Sequence, residues 1–132
     1  MNARAESTFQ VTNWEEKPFD EMDGGPRLTR ARVTKVFQGE LEGDGRVLYL
    51  MTHRLDGTAT FVGIERVTGR VDGRPGSFVL EHRGTFEGGV AKAECQVVPG
   101  TGTGKLASLR GGGSFAADGK KAPFVLEYEL DE

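Results

Sequence analysis

Four side chains in this sequence could carry chemistry inside a folded domain: Glu65, His82, Cys95 and Lys35. Each stands among apolar residues that recur at every second position, so all four are expected on an apolar face. A carboxylate beside an imidazole in such surroundings is a plausible acid–base pair, because burial raises the pKa of a carboxyl and the imidazolium charge lowers it. We therefore consider Glu65 and His82 as catalytic candidates that exchange protons with a small ligand. The alternative is a satisfied buried pair that only fixes strand register.

Cys95 and Lys35 each allow a functional and a structural interpretation. His82 next to Cys95 could favour the thiolate, but nothing in the sequence marks an oxyanion hole, so a buried structural thiol is favoured. Lysines ordinarily keep their ammonium group in water, so the ammonium of Lys35 is expected to reach water at the mouth of the fold, which is predicted below to be a barrel. The alternative is a contact with Glu65 or with an anionic ligand group. His53 and His82 are expected to face opposite ways. Since no His/Cys cluster has metal-ligand spacing, no metal and no cofactor is predicted.

Strands must position these residues, and the chain shows repeated alternation of apolar and polar side chains without a helical period. Most of the 20 glycines among 132 residues stand one or two at a time between these runs, as in tight turns. The predicted strands are Thr8–Trp14, Thr29–Leu41, Arg46–Arg54, Thr58–Val71, Ser77–Glu87, Val90–Val98, Ser114–Ala117 and Phe124–Leu130. Consecutive strands at this spacing predict a meander, and eight can close into a barrel. Residues 1–132 are thus predicted to form one all-β domain, an eight-stranded antiparallel closed barrel.

Turn lengths assign the cross-strand neighbours. A two-residue turn at Gly88-Gly89 puts His82 opposite Cys95. A four-residue loop over Asp72–Pro75 puts Glu65 opposite His82. The candidate acid, base and thiol are therefore predicted to lie in one row inside the barrel.

The turn after the third strand decides which of its side chains face inward. If Asp56-Gly57 is a two-residue turn, Leu48 lies opposite Glu65 and Leu50 opposite Gly63. The predicted interior comprises Phe37, Leu48, Leu50, Phe61, Val67, Phe78, Leu80, Phe86, Ala93, Cys95, Val97, Phe124, Leu126, Tyr128 and Leu130. Small inward residues favour a cavity, namely Gly63, Gly84, Ala91 and Ala93. The predicted ligand contacts are Lys35, Phe37, Leu50, Phe61, Phe78, Leu80, Cys95 and Tyr128.

The same register turns an apolar patch outward on the third and fourth strands. Its members are Tyr49, Met51, Val62 and Ile64. Exposed apolar patches commonly mark interfaces, so we predict a homo-oligomer formed through these residues. The alternative is a cover supplied by the N-terminal segment around Trp14 and Phe19.

Composition argues against several classes of partner. Lys and Arg number 17 and Asp and Glu 20, a net charge of −3, which gives no reason to favour nucleic acid or an anionic membrane surface. No apolar run approaches the roughly 20 residues of a membrane span, and the N-terminus lacks the apolar core of a signal peptide. Because Cys95 is the single cysteine, no intrachain disulfide can form. A cytoplasmic protein is therefore expected.

Four blocks of sequence, in order, carry a family resemblance. They are Leu28–Gly39 (LTRARVTKVFQG), Phe61–Gly69 (FVGIERVTG), Gly76–Phe86 (GSFVLEHRGTF) and Val98–Gly111 (VPGTGTGKLASLRG). Together they resemble a bacterial family of small proteins of unknown function that is similar to the allene oxide cyclase type of β-barrel. The resemblance implies an eight-stranded barrel with a central cavity, often in an oligomer. Allene oxide cyclase binds an unstable fatty-acid epoxide and steers its ring closure, but its catalytic residues find no match here, so the resemblance implies a fold and no reaction.

Three functions remain open on the sequence. The leading hypothesis is binding of a small, mostly apolar molecule in the barrel cavity. The second is a cyclase or isomerase of a hydrophobic substrate, in which Glu65 moves a proton and His82 orients or tunes it. The third is a non-catalytic oligomeric interaction module that uses the outer apolar patch.

Overall fold

The computed structural model describes residues 3–131, which form eight strands and one short 3-10 helix. The strands are β1 (Ala3–Asp20), β2 (Arg27–Gly39), β3 (Leu41–His53), β4 (Ala59–Val71), β5 (Arg74–Glu87), β6 (Val90–Val97), β7 (Arg110–Ala117) and β8 (Lys121–Glu129). Each strand is antiparallel to the next and β1 pairs with β8, so the meander closes. The predicted eight-stranded antiparallel barrel is confirmed. Among the described residues, no helix is long and apolar enough to cross a membrane.

β1 is much longer than the predicted segment and has two parts. Ala3–Gln10 pairs with β8, and its second half, Ser7–Gln10, also pairs with β2, so this part belongs to the closed barrel. The register shifts at Thr12, where Thr12 Oγ1 contacts Thr34 Oγ1 at 2.8 Å. Residues 13–20 then continue along β2 without a partner strand on their other side among residues 3–131. We call residues 13–20 the β1 arm.

The β5–β6 hairpin has the predicted register. Gly88 and Gly89 both adopt positive φ angles, of 60° and 79°, which suit a two-residue hairpin turn. His82 therefore lies directly opposite Cys95.

The β4–β5 register differs from the prediction by two residues. The turn is Asp72-Gly73, with φ angles of 48° and 80°, and Arg74 and Pro75 already belong to β5. Ser77, two residues after Pro75, donates its N–H to Thr103 and not to β4. Residues two apart in a strand direct their backbone nitrogens to the same side, so β4 loses no hydrogen bond because Pro75 lacks an N–H. Glu65 consequently lies opposite Leu80 and not opposite His82. A shift of two keeps both side chains inside the barrel.

The β3–β4 turn is one residue longer than predicted. This error has a larger effect than the two-residue error in the β4–β5 register, because a shift of one residue reverses the facing of every side chain. The hairpin closes through Arg54 and Thr58, whose backbones are bonded at 2.8 Å, with three residues between them. Every side chain of β3 therefore has the opposite facing to the prediction. Leu48 and Leu50 are outside, 42% and 46% exposed, so the placement of Leu50 among the cavity residues was wrong. The large inward residues of this strand are Leu41, Val47, Tyr49, Met51 and His53.

The two ends of the barrel differ in packing. At the end that carries the Asp72-Gly73 turn, the closed end, the interior side chains are fully buried, among them Leu41, Val71, Phe78, Leu106 and Leu126. Leu106 lies in the 3-10 helix Gly104–Leu106, inside the loop from β6 to β7, and this loop plugs the barrel. The loop lies so close to Gly76 that a Cβ there would stand 2.1 Å from the backbone oxygen of Thr103. The opposite end, which carries the Gly88-Gly89 turn, is the open end.

Candidate functional site

Four polar side chains from four strands meet in the barrel interior, and we call them the polar ring: Lys35, Tyr49, Glu65 and His82. His82 Nε2 lies 2.7 Å from Glu65 Oε1, and the Lys35 Nζ lies 3.5 Å from the same oxygen. Lys35 Nζ donates to the Tyr49 hydroxyl at 3.2 Å, and that hydroxyl lies 3.5 Å from His82 Nδ1. The exposure of Lys35 is 3% and that of Glu65 is 0%. The expectation that Lys35 reaches water was therefore wrong, and the alternative contact with Glu65 is present.

Two glycines make room for this ring. A Cβ on Gly63 would stand 2.5 Å from the ring of Tyr49, which lies opposite the glycine in the neighbouring strand. A Cβ on Gly45 would stand 2.1 Å from Glu65 Oε2. Oε2 has no hydrogen-bond partner within residues 3–131, so both partners of the carboxylate meet on Oε1. The inward glycines thus hold aromatic and acidic side chains close to the sheet, and the empty space lies elsewhere.

The charges of the polar ring balance. Burial acts to raise the pKa of Glu65, but the Lys35 ammonium and the hydrogen bond from His82 outweigh it and lower the pKa below its ordinary value. Burial lowers the pKa of His82, although Glu65 opposes the shift. Burial and the nearby Glu65 carboxylate raise the pKa of Tyr49 well above its ordinary value. At neutral pH the ring therefore holds one cation, one anion and two neutral groups.

The protonation pattern follows from these contacts. An ionised carboxylate only accepts hydrogen bonds, so His82 Nε2 carries the hydrogen donated to Glu65. His82 Nδ1 is then an acceptor, and the hydroxyl of Tyr49 can donate to it. Hydrogen bonds consequently run in one direction, from Lys35 through Tyr49 and His82 to Glu65. Such a chain can move a proton between its two ends.

Cys95 lies at the edge of the polar ring, with its Sγ 3.4 Å from His82 Nδ1. Burial raises the pKa of its thiol to about 12. The group is therefore a protonated thiol at neutral pH, which agrees with the structural interpretation of Cys95.

A cavity of about 410 Å³ occupies the open end, within the size range of small-molecule pockets. Its lining is mainly aromatic and aliphatic, and consists of Phe9, Val11, Trp14, Glu16, Val33, Lys35, Tyr49, Met51, His53, Phe61, Phe86, Gly89, Ala91, Phe115, Ala117, Asp118 and Gly119. We call Lys35 and Tyr49 its polar wall; Glu16, His53 and Asp118 are further polar lining residues, whereas Glu65 and His82 do not line the cavity. Of the polar ring, only Lys35 and Tyr49 can touch a molecule in this cavity.

The β1 arm covers one side of the cavity mouth. Trp14 stacks on Tyr49 with ring centroids 6.1 Å apart and an interplanar angle of 29°. Glu16 Oε2 lies 2.7 Å from both His53 Nε2 and Thr29 Oγ1, and it accepts from Thr29. Burial acts to raise the pKa of Glu16, but hydrogen bonds, led by that from Thr29, outweigh it and lower the pKa. These contacts tie the arm to β2 and β3.

A model of a family of proteins of unknown function (DUF3224) matches residues 5–129 of the chain. The protein belongs to the DUF3224 family. A crystal structure of a DUF3224 protein with unknown function, from Shewanella oneidensis MR-1, superposes with a TM-score of 0.82 at 27% identity, covering 100% of both chains. No functionally curated protein matches the sequence. The resemblance to a bacterial family of unknown function is thereby confirmed, and the fold is shared along the whole chain.

In this DUF3224 domain the predicted ligand contacts fall into separate regions. Lys35 and Phe61 line the cavity. Leu50 lies on the outer face, and Phe37 and Cys95 are buried without lining the cavity. The remaining three, Phe78, Leu80 and Tyr128, are buried away from the cavity, and the Tyr128 hydroxyl donates to Asp72 at the closed end.

Sequence reasoning missed several residues of the cavity. Tyr49 and His53 were assigned to the outside because of the β3–β4 register, and a three-residue turn length would have found both. Phe9 and Phe115 surround the Lys35 ammonium, with ring centroids 4.5 and 5.1 Å from Nζ. Their alternation with polar neighbours was the available signal. Within residues 3–131, no group of three or more potential metal ligands converges.

The outer apolar patch of the DUF3224 barrel has different members from those predicted. Tyr49 and Met51 are buried inside the barrel, so the prediction of an interface through them was wrong. Their places are taken by Leu48 and Leu50, and the outer patch consists of Leu48, Leu50, Val62 and Ile64. A shallow depression of about 570 Å³ adjoins it and is lined in part by Phe19 and Leu28. The N-terminal segment thus borders the patch, but the four side chains remain exposed.

Proposed function

We propose that this DUF3224 barrel binds a small neutral, mostly apolar molecule that carries one hydrogen-bond-accepting oxygen. The observation that supports this most directly is the aromatic cavity at the open end, with Lys35 and Tyr49 in its wall. A few fixed polar groups in an otherwise apolar pocket are the usual basis of small-molecule recognition.

The preference for a neutral ligand follows from the polar ring. The ammonium of Lys35 is already paired with the Glu65 carboxylate at 3.5 Å. An anionic ligand would leave the buried site with a net negative charge, and an uncompensated buried charge is costly. A neutral molecule leaves the balance unchanged.

The accepting oxygen follows from the donors of Lys35. An ammonium group has three N–H donors, and its oxygen contacts in the described chain are the Tyr49 hydroxyl and Glu65 Oε1. The aromatic rings of Phe9 and Phe115 occupy much of the remaining surroundings of Nζ. A ligand oxygen near this wall would receive the remaining hydrogen bond.

The alternative function, a cyclase or isomerase, requires a different role for Glu65 and His82 from the one predicted. Glu65 and His82 do not line the cavity, so they could exchange protons with a substrate only through Tyr49 or Lys35. A barrel could also promote ring closure by holding a flexible apolar chain in a reactive shape. The resemblance to allene oxide cyclase barrels is compatible with either route.

The binding proposal is tested with the neutral apolar dye N-phenylnaphthylamine, whose emission rises in a dry site. Ala117 lines the cavity, whereas the adjacent Ala116 is exposed on the outer face of the same strand. We expect saturable binding with a Kd on the order of 10 µM, abolished by Ala117→Phe and unaffected by Ala116→Phe. Trp14, the single tryptophan, stands at the mouth and gives an independent signal.

Matched unfolding curves must accompany this pair of variants, because a filled cavity is informative only in a folded barrel. Equal dye binding by both phenylalanine variants would place the dye outside the cavity. Absence of saturable binding by the parent protein would contradict the proposal.

We also propose that the outer patch mediates self-association in the cytoplasm. One row across the sheet runs Arg32, Leu48, Ile64, Glu81, with a basic residue at one flank and an acidic residue at the other. A two-fold axis parallel to the strands would place Arg32 of one copy against Glu81 of the next, with the patch between them. Light scattering should show a dimer that Ile64→Lys dissociates and Thr68→Lys, outside the patch, does not. A monomeric parent protein would contradict the proposed self-association. The cytoplasmic location is checked separately by cell fractionation.

A further inference from the structure

We propose that Lys35 forms a covalent imine with an aldehyde or ketone held in the open-end cavity. This inference rests on the proposed function and narrows its ligand class to carbonyl compounds. A carbonyl group is neutral and offers one accepting oxygen, as the polar wall requires.

Lys35 has the surroundings that a reactive lysine needs. Its Nζ lies on the wall of a cavity of about 410 Å³, although the residue is only 3% exposed. The rings of Phe9 and Phe115 flank Nζ at 4.5 and 5.1 Å. These apolar walls limit the water that would hydrolyse an imine.

An amine must lose its proton before it can attack a carbonyl, and the polar ring provides a route. Lys35 Nζ lies 3.2 Å from the Tyr49 oxygen, which lies 3.5 Å from His82 Nδ1. Tyr49 can accept a proton from Lys35 while it passes its own proton to His82. The resulting imidazolium is paired with Glu65 at 2.7 Å, so the cation moves within the ring and the total charge stays constant. Burial disfavours the imidazolium form of His82, so the state with the proton on His82 is short-lived and is consumed by the reaction.

The reaction then balances without an external reagent. The free amine of Lys35 attacks the carbonyl carbon, and the C=O π electrons move onto oxygen, which takes the proton returned by His82 through Tyr49. The nitrogen of the carbinolamine still carries the extra proton and positive charge from the attack; it gives this proton to the hydroxyl by way of Tyr49, and the hydroxyl leaves as one molecule of water. The nitrogen lone pair forms the C=N bond, and the product iminium remains beside the Glu65 carboxylate. In sum, one ammonium and one carbonyl give one iminium and one water.

The remaining lysines lack these features. Lys17, Lys92, Lys105, Lys120 and Lys121 are all exposed. Selective modification of Lys35 would therefore report the cavity and its proton route.

The test uses hydrocinnamaldehyde, a neutral apolar aldehyde, with cyanoborohydride to reduce any imine to a stable amine. Intact mass should rise by the mass of the aldehyde less one oxygen atom, and peptide mapping should place the change on Lys35. We expect Lys35 to react about 100-fold faster than the exposed Lys92 at neutral pH, the scale of assisted proton transfer. Tyr49→Phe should remove most of that advantage at saturating aldehyde, because it breaks the proton route while the lysine remains. Equal rates at Lys35 and Lys92 would overturn the proposal, and an unchanged Lys35 rate in Tyr49→Phe would overturn the relay.

A charge-balanced variant removes the amine. Lys35→Met combined with Glu65→Gln leaves no unpaired buried charge, and it should fold and take up no label in the cavity. Label on other cavity peptides of this variant would overturn the assignment to Lys35.

Hydrocinnamyl alcohol separates this inference from the proposed function, because it has the same shape and cannot form an imine. If Trp14 fluorescence reports binding of the alcohol and the aldehyde leaves Lys35 unmodified, the inference fails and the binding function stands. If neither compound binds, both fail.

Discussion

The two ends of the barrel are built from the same strands and pack differently. The closed end is filled by Leu41, Val71 and Phe78 and sealed by Leu106 of the β6–β7 loop. The open end has a comparable set of large apolar side chains, including Phe9 and Phe61, but they surround about 410 Å³ of space. The difference shows that a hollow site here depends on how the ends are covered, and not on a poorer supply of apolar residues.

The polar ring lies between these regions. Towards the closed end Glu65 is enclosed by the core, with an exposure of 0%. Towards the open end Lys35 and Tyr49 line the cavity. A rigid filled half therefore holds the buried charges in place, and the other half presents them to a ligand.

The difference in packing between the two ends is tested most directly by the same truncation, phenylalanine to alanine, at each end. Phe78→Ala removes a fully buried ring at the closed end and should lower the free energy of unfolding by about 4 kcal/mol. Phe61→Ala should cost about half of that, because its ring already borders the cavity. Denaturant unfolding of both variants measures the difference. Equal losses would mean that the open end is packed as tightly as the closed end.

Removal of one charge from the polar ring should have a slightly smaller effect. Glu65→Gln keeps the shape of the side chain but leaves the Lys35 ammonium buried without its anion, which should cost about 3 kcal/mol. Lys35→Met added to this variant should recover at least half of the loss. Denaturant unfolding again provides the measurement, and a Glu65→Gln variant as stable as the parent would show that the ring does not hold paired charges.

The pH dependence of stability should come from the same ring. The folded pKa of His82 lies below its ordinary value of 6.5, so the unfolded chain binds that proton first and stability falls as the pH drops below 6.5. The folded pKa of Glu65 is also lowered, so its stabilisation is present above its ordinary value of 4.5 and is lost as the pH falls through the folded value. Unfolding curves from neutral to acidic pH should show two successive losses of stability, the first as the pH drops below 6.5 and the second as it drops below 4.5.

His82→Gln, which can still donate to Glu65, should abolish the loss that begins near pH 6.5 and keep the lower one. If the upper loss persists in this variant, another group is responsible for it.

The smallest expected effect is at the cavity mouth. Glu16→Gln weakens the contacts that tie the β1 arm to His53 and Thr29, and it should cost less than about 1 kcal/mol of global stability. Hydrogen exchange should nevertheless quicken in residues 13–20 and stay unchanged at the closed end. Equal exchange in the arm before and after substitution would show that these contacts do not restrain it.

The barrel itself was accessible from the sequence, because alternation and short turns determine which elements pair. The row of His82 and Cys95 followed from a Gly-Gly turn that has few conformational alternatives. The inward facing of Glu65 survived an error in the β4–β5 turn, because the error was an even number of residues. These features depend on local rules that one sequence contains.

The composition of the site was harder to predict, because it depends on single turns and on space. One residue in the length of the β3–β4 turn exchanged Tyr49 and Leu50 between the two faces of β3. The plug at the closed end comes from a loop without alternation, so nothing in its pattern indicated that Leu106 would fill the barrel. Which half is hollow could therefore be seen only in three dimensions.

The β1 arm has a consequence for the behaviour of the protein in concentrated solution. Closure removes exposed backbone edges from the rest of the barrel, but residues 13–20 are paired on one side only in the described chain. Such an edge invites pairing with another chain and the growth of aggregates. Glu15, Lys17 and Asp20 place charges along it, and Pro18 lacks the N–H that an incoming strand would need. The β1 arm, which lies over the cavity mouth, thus also carries residues that oppose aggregation. It could detach from the cavity mouth without promoting association between chains.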